Sequence, residues 1–420
     1  MDISVPTPRF YLDQPTAWKR LPRCVFIRGW CFAGDGQPIR AIRLRAGEIT
    51  LDAVVGLPRP DVKAEFANAP DDHTGFEIRG TLPSGRITVT LEAASAPAGW
   101  QQLMSRPVEI ERHILPLWLG GGSFSELMHF QMPAHMAYPP RPVQAEKFPA
   151  ATTSPARPKF SIVTPSYQQA RFLAETVRSV VDQPGVDCQY VVQDGGSTDE
   201  SAAIISAHAH RLHAWESVRD GGQADAIKRG FAKTSGGPND VMAWINSDDY
   251  YQPGALAFVA DYFARHPEVD VLYGHRIVVD ESSREIARRF LPPHDDAVLR
   301  LNDFVPQETM FWRRRIGDQV GGLDASFHYA MDWDLLLRFS AAGARIVRVP
   351  YFLACFRVHP AQKTSAARHV TGEKELTFLR ERAIGRPVAP QELVSNPFLL
   401  RYLRRSAWIE LMWKLGIRTR

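Results

Sequence analysis

From Phe160 onward, short apolar runs of strand length alternate with helical faces, and each run ends in a small, polar loop. Phe160-Ser161-Ile162-Val163-Thr164 closes on Pro165. Phe172, Leu173, Val177, Val180 and Val181 then fall on one helical face. Gln189-Tyr190-Val191-Val192-Gln193, Val241-Met242-Ala243-Trp244-Ile245 and Val269-Asp270-Val271-Leu272-Tyr273 read as three more strands. That alternation predicts an α/β domain with a mainly parallel sheet. In such sheets a ligand sits beyond the carboxyl ends of the strands, so the loops that follow these runs are where chemistry is expected.

The rest of the chain reads differently. Residues 1–112 show period-two alternation in Ile42-Arg43-Leu44-Arg45, Phe76-Glu77-Ile78-Arg79 and Ile87-Thr88-Val89-Thr90-Leu91-Glu92, broken by Gly34-Asp35-Gly36, Gly47 and Pro83-Ser84-Gly85. This predicts a small antiparallel β-sandwich with its own core. Residues 113–158 carry eight prolines and predict a partly extended linker, with a short helix over Phe124–Met132. The α/β domain is expected over 159–365 and a basic helical extension over 366–420. Of the net +4, residues 397–420 alone contribute +5 and the remaining chain about −1. A broad basic surface for nucleic acid is therefore not expected. No run of about 18 apolar residues predicts a membrane span, and the N-terminus lacks the pattern of a secretory signal. Four scattered cysteines form neither a disulfide framework nor a zinc site, and a reducing cytosol fits.

Three strand ends set the chemistry. Thr164-Pro165-Ser166-Tyr167 follows the first strand, Asp194-Gly195-Gly196-Ser197-Thr198-Asp199 the second, and Asn246-Ser247-Asp248-Asp249 the third. Acids gathered at one rim repel unless a cation or a donor joins them. Adjacent Asp248 and Asp249 suit a hard divalent cation shared with a substrate phosphate. The alternative is a solvated turn, or Asp249 capping a helix that starts near Pro253.

These loops, with Asp220-Gly221-Gly222-Gln223-Ala224-Asp225-Ala226-Ile227-Lys228-Arg229-Gly230 and Met331-Asp332-Trp333-Asp334-Leu335-Leu336-Leu337-Arg338, resemble in order and spacing the motifs of the family 2 glycosyltransferases, which have the GT-A fold. The resemblance covers about residues 159–365. Residues 1–112 look like a β module attached to some bacterial members, through Arg28-Gly29-Trp30-Cys31-Phe32, Arg59-Pro60-Asp61-Val62 and Gly75-Phe76.

The resemblance implies an inverting transferase that moves a sugar from a nucleotide diphosphate donor, a UDP-sugar, to a hydroxyl acceptor, with Mn2+ or Mg2+. Thr164, Pro165 and Ser166 would line the base pocket, and Asp194 would accept from the uracil ring NH. An Asp-Gly turn that needs no ligand is the alternative for Asp194. Asp225 would help hold the nucleotide, against an intrahelical pair with Lys228 at i+3. Asp248 would lie near ribose and metal, and Asp249 would bind the metal more directly. Asp332 would be the general base, where Met331 stands in place of the family's frequent Glu. Capping of the helix Trp333–Ala342 is the alternative role for Asp332, with Asp334 favouring that helix's positive end. His359 would add a metal or diphosphate contact. Gln307, with Trp333, would line the sugar or acceptor pocket.

Bacterial polysaccharide or glycan assembly, on a glycan or lipid-linked acceptor, is the setting the resemblance implies. The rival class is a non-catalytic relative that binds glycan or scaffolds enzymes; a nucleotidyltransferase lacks a supporting phosphate loop. Phe398-Leu399-Leu400, Leu403, Trp408, Leu411, Met412, Trp413 and Leu415 are interspersed with arginines. They predict either an interfacial helix drawn to anionic lipid, peripheral at the inner face of the membrane, or a helix packed on the catalytic domain with its arginines in water.

Overall fold

The run Phe160–Ser166 is buried at every residue because it lies inside a sheet flanked on both sides by parallel neighbours. The computed structural model describes residues 8–15, 18–21, 24–66, 68–83, 85–95, 99–110, 138–149, 157–359, 372–389, 392–393 and 396–417. The expected short helix over Phe124–Met132 and most of the expected linker lie outside these. The described residues fall into two units, one ending at Ile110 apart from Tyr138 and Pro139, the other running from Pro140.

The first unit holds strands β1 (Arg9–Gln14), β2 (Arg20–Leu21), β3 (Cys24–Phe32), β4 (Ala41–Ala46), β5 (Ile49–Leu57), β6 (Gly75–Thr81), β7 (Gly85–Ser95) and β8 (Gly99–Ile110). Their order is β1-β3-β6-β5-β4-β7-β8-β2. Every neighbour is antiparallel except β2 with β8. The two layers are one folded sheet rather than two separate ones. The first half of β5 pairs with β4 and its second half with β6, and the register shifts between Val55 and Leu57. Gly56 sits there at φ +80°, a conformation that costs glycine little and lets the strand bulge and bend. Ile27, Phe76 and Ile78 from one half meet Leu44, Leu91 and Val108 from the other in a single core.

The second unit is built on β9 (Arg141–Pro142), β10 (Phe160–Ser166), β11 (Cys188–Asp194), β12 (Ala214–Ser217), β13 (Val241–Trp244), β14 (Tyr250–Tyr251), β15 (Val271–Val279), β16 (Arg284–Arg289), β17 (Phe311–Arg313) and β18 (Ile346–Arg357). The order is β12-β11-β10-β13-β17-β15-β16-β9, with β18 pairing β15 and β14. β12, β11, β10 and β13 are mutually parallel. Strand β10 continues through Pro165. The ladder to β13 stops at Val163 opposite Trp244, so the missing N–H falls where no partner strand remains on that side. The chain runs outward from β10 to β12 and returns to β13, placing a topological switch between β10 and β13, where a crevice is expected.

Helices cover the sheet as the apolar spacing predicts. Helix Ala170–Val181 buries Phe172, Leu173, Thr176, Val177 and Val180. Helix Gln223–Ala232 packs so closely on β10 that a Cβ at Gly230 would collide with the Val163 side chain. Helix Met331–Ala341 enters from a loop that Glu375, on helix Glu373–Ile384, holds by accepting from the His328, Tyr329 and Ala330 N–H groups, each at 2.9 Å. Glu375→Ala strands these three donors and is expected to cost about 1–2 kcal/mol, read as a lower urea midpoint at unchanged slope. The C-terminal helix Pro397–Lys414 packs on this unit through Leu399, Tyr402, Ala407 and Ile409.

Candidate active site

A cavity of about 920 Å³ opens at the carboxyl ends of the parallel strands, large enough for a nucleotide sugar by the usual range of ligand pockets. Its walls come largely from the segments singled out by sequence: Pro165 and Ser166 at the end of β10, Gly195 and Gly196 after β11, Asp220 and Gly222 after β12, Trp244 at the end of β13 and Asn246 to Asp249 after it, with Arg219 beside Asp220. Arg276, Asp303, Gln307 and Glu308 contribute from the antiparallel half, and Tyr329, Met331 and Asp332 from the helix entry.

Of the expected site residues, Pro165, Ser166, Asp248, Asp249, Gln307 and Asp332 line this cavity, and Thr164, Asp194, Asp225, His359 and Trp333 do not. Thr164 is buried with its hydroxyl paired to the Tyr190 hydroxyl at 2.9 Å, one layer behind. Asp194 is buried and organises its own loop. It accepts from Ser197 N–H at 2.8 Å, and from the hydroxyls of Ser197 and Ser217 at 2.6 Å. That arrangement fixes Gly195 and Gly196, the latter at φ +78°, as cavity wall. Asp225 accepts from Gly221 N–H at 3.0 Å and lies 3.8 Å from Arg229 at i+4. The expected alternative partner, Lys228, is not the one it meets. Trp333 is a correction: it is fully buried, and its indole N–H donates to the Leu299 carbonyl at 2.8 Å. One step of helical rotation past Asp332 turns Trp333 into the core.

Asp248 and Asp249 are clasped between two elements. Thr176 donates to the Ser247 and Asp249 carbonyls at 2.9 and 2.7 Å, fixing the turn from the helix side. From the end of β18, Arg357 N–H donates to Asp249 Oδ1 at 2.9 Å and the Arg357 guanidinium to the Asp248 carbonyl at 2.9 Å. His359, buried with its ring tilted against that of Phe172 at 4.8 Å, lies 2.9 Å from Asp248 Oδ2. His359 thus meets Asp248 of the acidic pair. Asp249 caps no helix, since the following helix starts at Ala255 behind Gly254.

The second oxygen of Asp249, Oδ2, is buried with no hydrogen-bond partner. Burial, then the charges of Asp248 and Glu308, hold the Asp249 carboxyl well above the usual range. An orphaned buried carboxylate oxygen beside a second carboxylate and an imidazole fits a hard divalent cation. Among the described residues, the three such side chains whose ligand atoms all lie within 4.8 Å of one another are Asp71, Asp72 and His73, exposed in the first unit and not part of this cavity; Asp248, Asp249 and His359 are not drawn together that closely.

Asp332 sits in the first turn of its helix without capping it. Trp333 N–H donates to its Oδ1 at 3.0 Å. Burial pushes its carboxyl up to about 6. Asp334 is instead the structural acid, buried between Arg338 at 2.7 Å and Arg382 at 2.5 Å. The pair in this Asp-Trp-Asp segment thus divides into one carboxylate facing the cavity and one committed to the core.

Sequence reasoning missed Arg276. It is buried on β15, donates from Nε and Nη2 to both Glu308 oxygens at 2.5 Å, and stacks over Phe356 at 4.2 Å. Its charge lowers both the Asp249 and the Asp332 carboxyls, whereas Glu308 raises them. Burial works against the charged form, yet Glu308 keeps the Arg276 guanidinium above its ordinary range. Arg219, a second cation on the wall, was also missed. The signal available for it was its place immediately before Asp220 in the loop after the strand. Gln307 donates to the Trp244 carbonyl at 2.8 Å, and its own Oε1 is buried without a partner.

Residues 161–322 match the family model described as Glycosyl transferase family 2. Over 229 residues the chain is 31% identical to the O-antigen biosynthesis protein RfbC of Myxococcus xanthus, covering 50% of this chain but 18% of that one. Over 197 residues it is 28% identical to a PGL/p-HBAD biosynthesis glycosyltransferase of Mycobacterium bovis, covering 46% of this chain and 74% of that one. Among solved structures, S. aureus TarS 1-349 in complex with UDP-GlcNAc aligns with a TM-score of 0.46 at 18% identity, over 59% of this chain and 72% of that one. Residues 161–322 are thus similar to the family 2 glycosyltransferases, and they lie in an α/β unit preceded in sequence by a β-rich unit. Asp332 and His359 lie beyond the matched residues.

Proposed function

We propose that this chain is an inverting glycosyltransferase that moves a sugar from a nucleoside diphosphate, a UDP-sugar, to the hydroxyl of a glycan or lipid-linked acceptor in bacterial polysaccharide assembly. The observation that carries this reading is the convergence of Asp248, Asp249 and Asp332 on one cavity, with Asp249 Oδ2 left without a partner.

In this reading the base and ribose lie along Ser166, Gly195 and Gly196, with Asp194 and Thr164 supporting that wall from behind. Asp225 steadies the glycine turn at its edge. Arg219 faces the diphosphate. Asp249, with Asp248 and His359, would hold a divalent cation, Mn2+ or Mg2+. Bound there, such an ion would supply charge neutralisation for the departing nucleoside diphosphate. Gln307 Oε1 accepts from a sugar or acceptor hydroxyl. Asp332 takes the acceptor hydroxyl's proton as the oxygen attacks the anomeric carbon. The bond from that carbon to the phosphate oxygen breaks, and the configuration inverts.

The test is release of nucleoside diphosphate from a panel of nucleotide sugars, together with thermal shifts by UDP with and without Mn2+ or Mg2+. A shift by UDP that requires the ion, and turnover of a UDP-sugar, support the reading. No shift with any nucleotide would sink it in favour of a glycan-binding relative. Asp249→Asn is expected to abolish the ion-dependent shift. It should also raise the melting temperature of the ion-free protein at pH 7.5. A raised folded pKa means that the stability tied to Asp249 is present at low pH and lost as pH rises through that pKa. Asparagine removes the charge that causes the loss. Calorimetry of both proteins without metal measures it.

A further inference from the structure

We infer that the outward face of the C-terminal helix Pro397–Lys414 docks on the surface of an anionic lipid bilayer. The inference does not depend on the reaction proposed above.

The helix has two unlike faces. Tyr402 packs on Phe304 at 4.7 Å, Trp413 on Phe290 at 5.2 Å, and the Ser406 hydroxyl donates to the Phe290 carbonyl at 2.5 Å. Asn396 caps the start by accepting from Phe398 and Leu399 N–H groups. The helix is therefore a fixed part of its unit. At about 100° per residue, Phe398, Arg401, Arg404, Arg405, Trp408, Leu411 and Leu415 fall within about 140° of arc on the opposite side. Trp408 is 56% exposed, Leu411 44%, Leu415 63% and Phe398 42%.

This mixture decides the partner. Arg404 and Arg405 are exposed and make no ion pair among the described residues. Arg401 lies 3.5 Å from Asp295, and Lys414 is paired with Glu410 at 2.7 Å. A second copy of the chain seated face to face would set these arginines against their own kind. An anionic bilayer presents the complementary charge, and its interface accepts Trp at headgroup level and Leu just below, with arginine stems lying along the apolar boundary. No helix among the described residues is long and apolar enough to cross a membrane, so this helix would lie on the surface. Phe304, on which it packs, is flanked by Asp303 and Val305 of the cavity wall. Docking would hold the cavity within one side-chain layer of the helix seated on the lipid.

The test is co-sedimentation of the full chain with vesicles of phosphatidylcholine alone and of phosphatidylcholine mixed with phosphatidylglycerol. Binding is expected to the anionic vesicles alone and to fall with added salt. Arg404→Ser with Arg405→Ser should weaken it about tenfold to thirtyfold. Trp408→Ser with Leu411→Ser should weaken it at unchanged salt dependence. Both double variants should keep the parent's circular dichroism and its melting temperature. Equal sedimentation of parent and variants, or no sedimentation, overturns the inference. So does a concentration-dependent dimer that the Trp408 variant loses, which would assign the face to a second copy.

Discussion

Asp332→Asn is expected to lower kcat by about 10²–10⁴-fold while leaving the ion-dependent thermal shift by UDP intact. Asparagine keeps the shape and the acceptor for Trp333 N–H but cannot take a proton. The cation and nucleotide contacts assigned to Asp248, Asp249 and Ser166 are untouched. The pH dependence supplies an independent check. Burial raises the Asp332 carboxyl to about 6, so kcat should fall as pH drops through 6, where the base becomes protonated, and level off above about 7. The stability term has the opposite sense. A raised folded pKa contributes stability that is fully present below the ordinary carboxylate value and is lost as pH rises through about 6. At pH 7.5 the Asp332→Asn protein should therefore melt no lower than the parent. Loss of turnover with a retained melting temperature separates the base role from a folding defect. Unchanged kcat would remove Asp332 from the chemistry.

The parallel half of the sheet was legible because β10, β11 and β13 are largely buried and read as short runs rich in apolar residues. Their following loops were legible for the same reason: a polar cluster placed directly after a buried strand has nowhere to go except the strand-end crevice. The antiparallel half was not. The fourth strand was expected to end at Tyr273 but continues to Val279 through Gly274, His275 and Arg276. Gly274 is there because the neighbouring strand passes so close that a Cβ would meet the Tyr351 carbonyl and the Leu353 side chain at 2.6 Å. A glycine followed by a histidine and an arginine looks like a turn. Only the ion pair with Glu308 across the fold makes it a buried strand. The same long-range pairing hid Arg276 from the list of site residues.

Asp194 and Trp333 show a second limit. Motif position places a residue at a loop or helix start but not the direction of its side chain. Asp194 turns to Ser197 and Ser217, and Trp333 to the Leu299 carbonyl, because buried polar groups take the nearest adequate partner. His359 shows the reverse. A histidine in a polar stretch past the last strand has no periodic signal, and its contact with Asp248 depends on β18 running back beside the acidic loop. The C-terminal helix is packed on the second unit, as one of its two sequence alternatives had it. It packs through one face and leaves its arginines and Trp408 on the other, which a residue count could not resolve.

Removing Arg276 is expected to have the largest effect on stability of any single substitution in the cavity. Arg276→Met leaves Glu308, 1% exposed, as a buried carboxylate without its bidentate partner. Breaking such a pair from one side costs about 3–5 kcal/mol, most of it the stranded charge rather than the lost attraction. Replacing both, Arg276→Met with Glu308→Leu, should recover most of that loss, since apolar groups of similar volume can substitute for a buried ion pair. Urea unfolding of the two single variants and the double variant measures the coupling, and simple additivity would contradict it. The pH profile then tells whether the pair also serves the reaction. Arg276 lowers the Asp332 carboxyl and Glu308 raises it. Arg276→Met should accordingly move the acid limb of kcat to higher pH, and the double variant should return it toward the parent's position. A limb that stays fixed in both proteins, with stability recovered, would confine the pair to holding β15 against the Gln307–Thr309 turn.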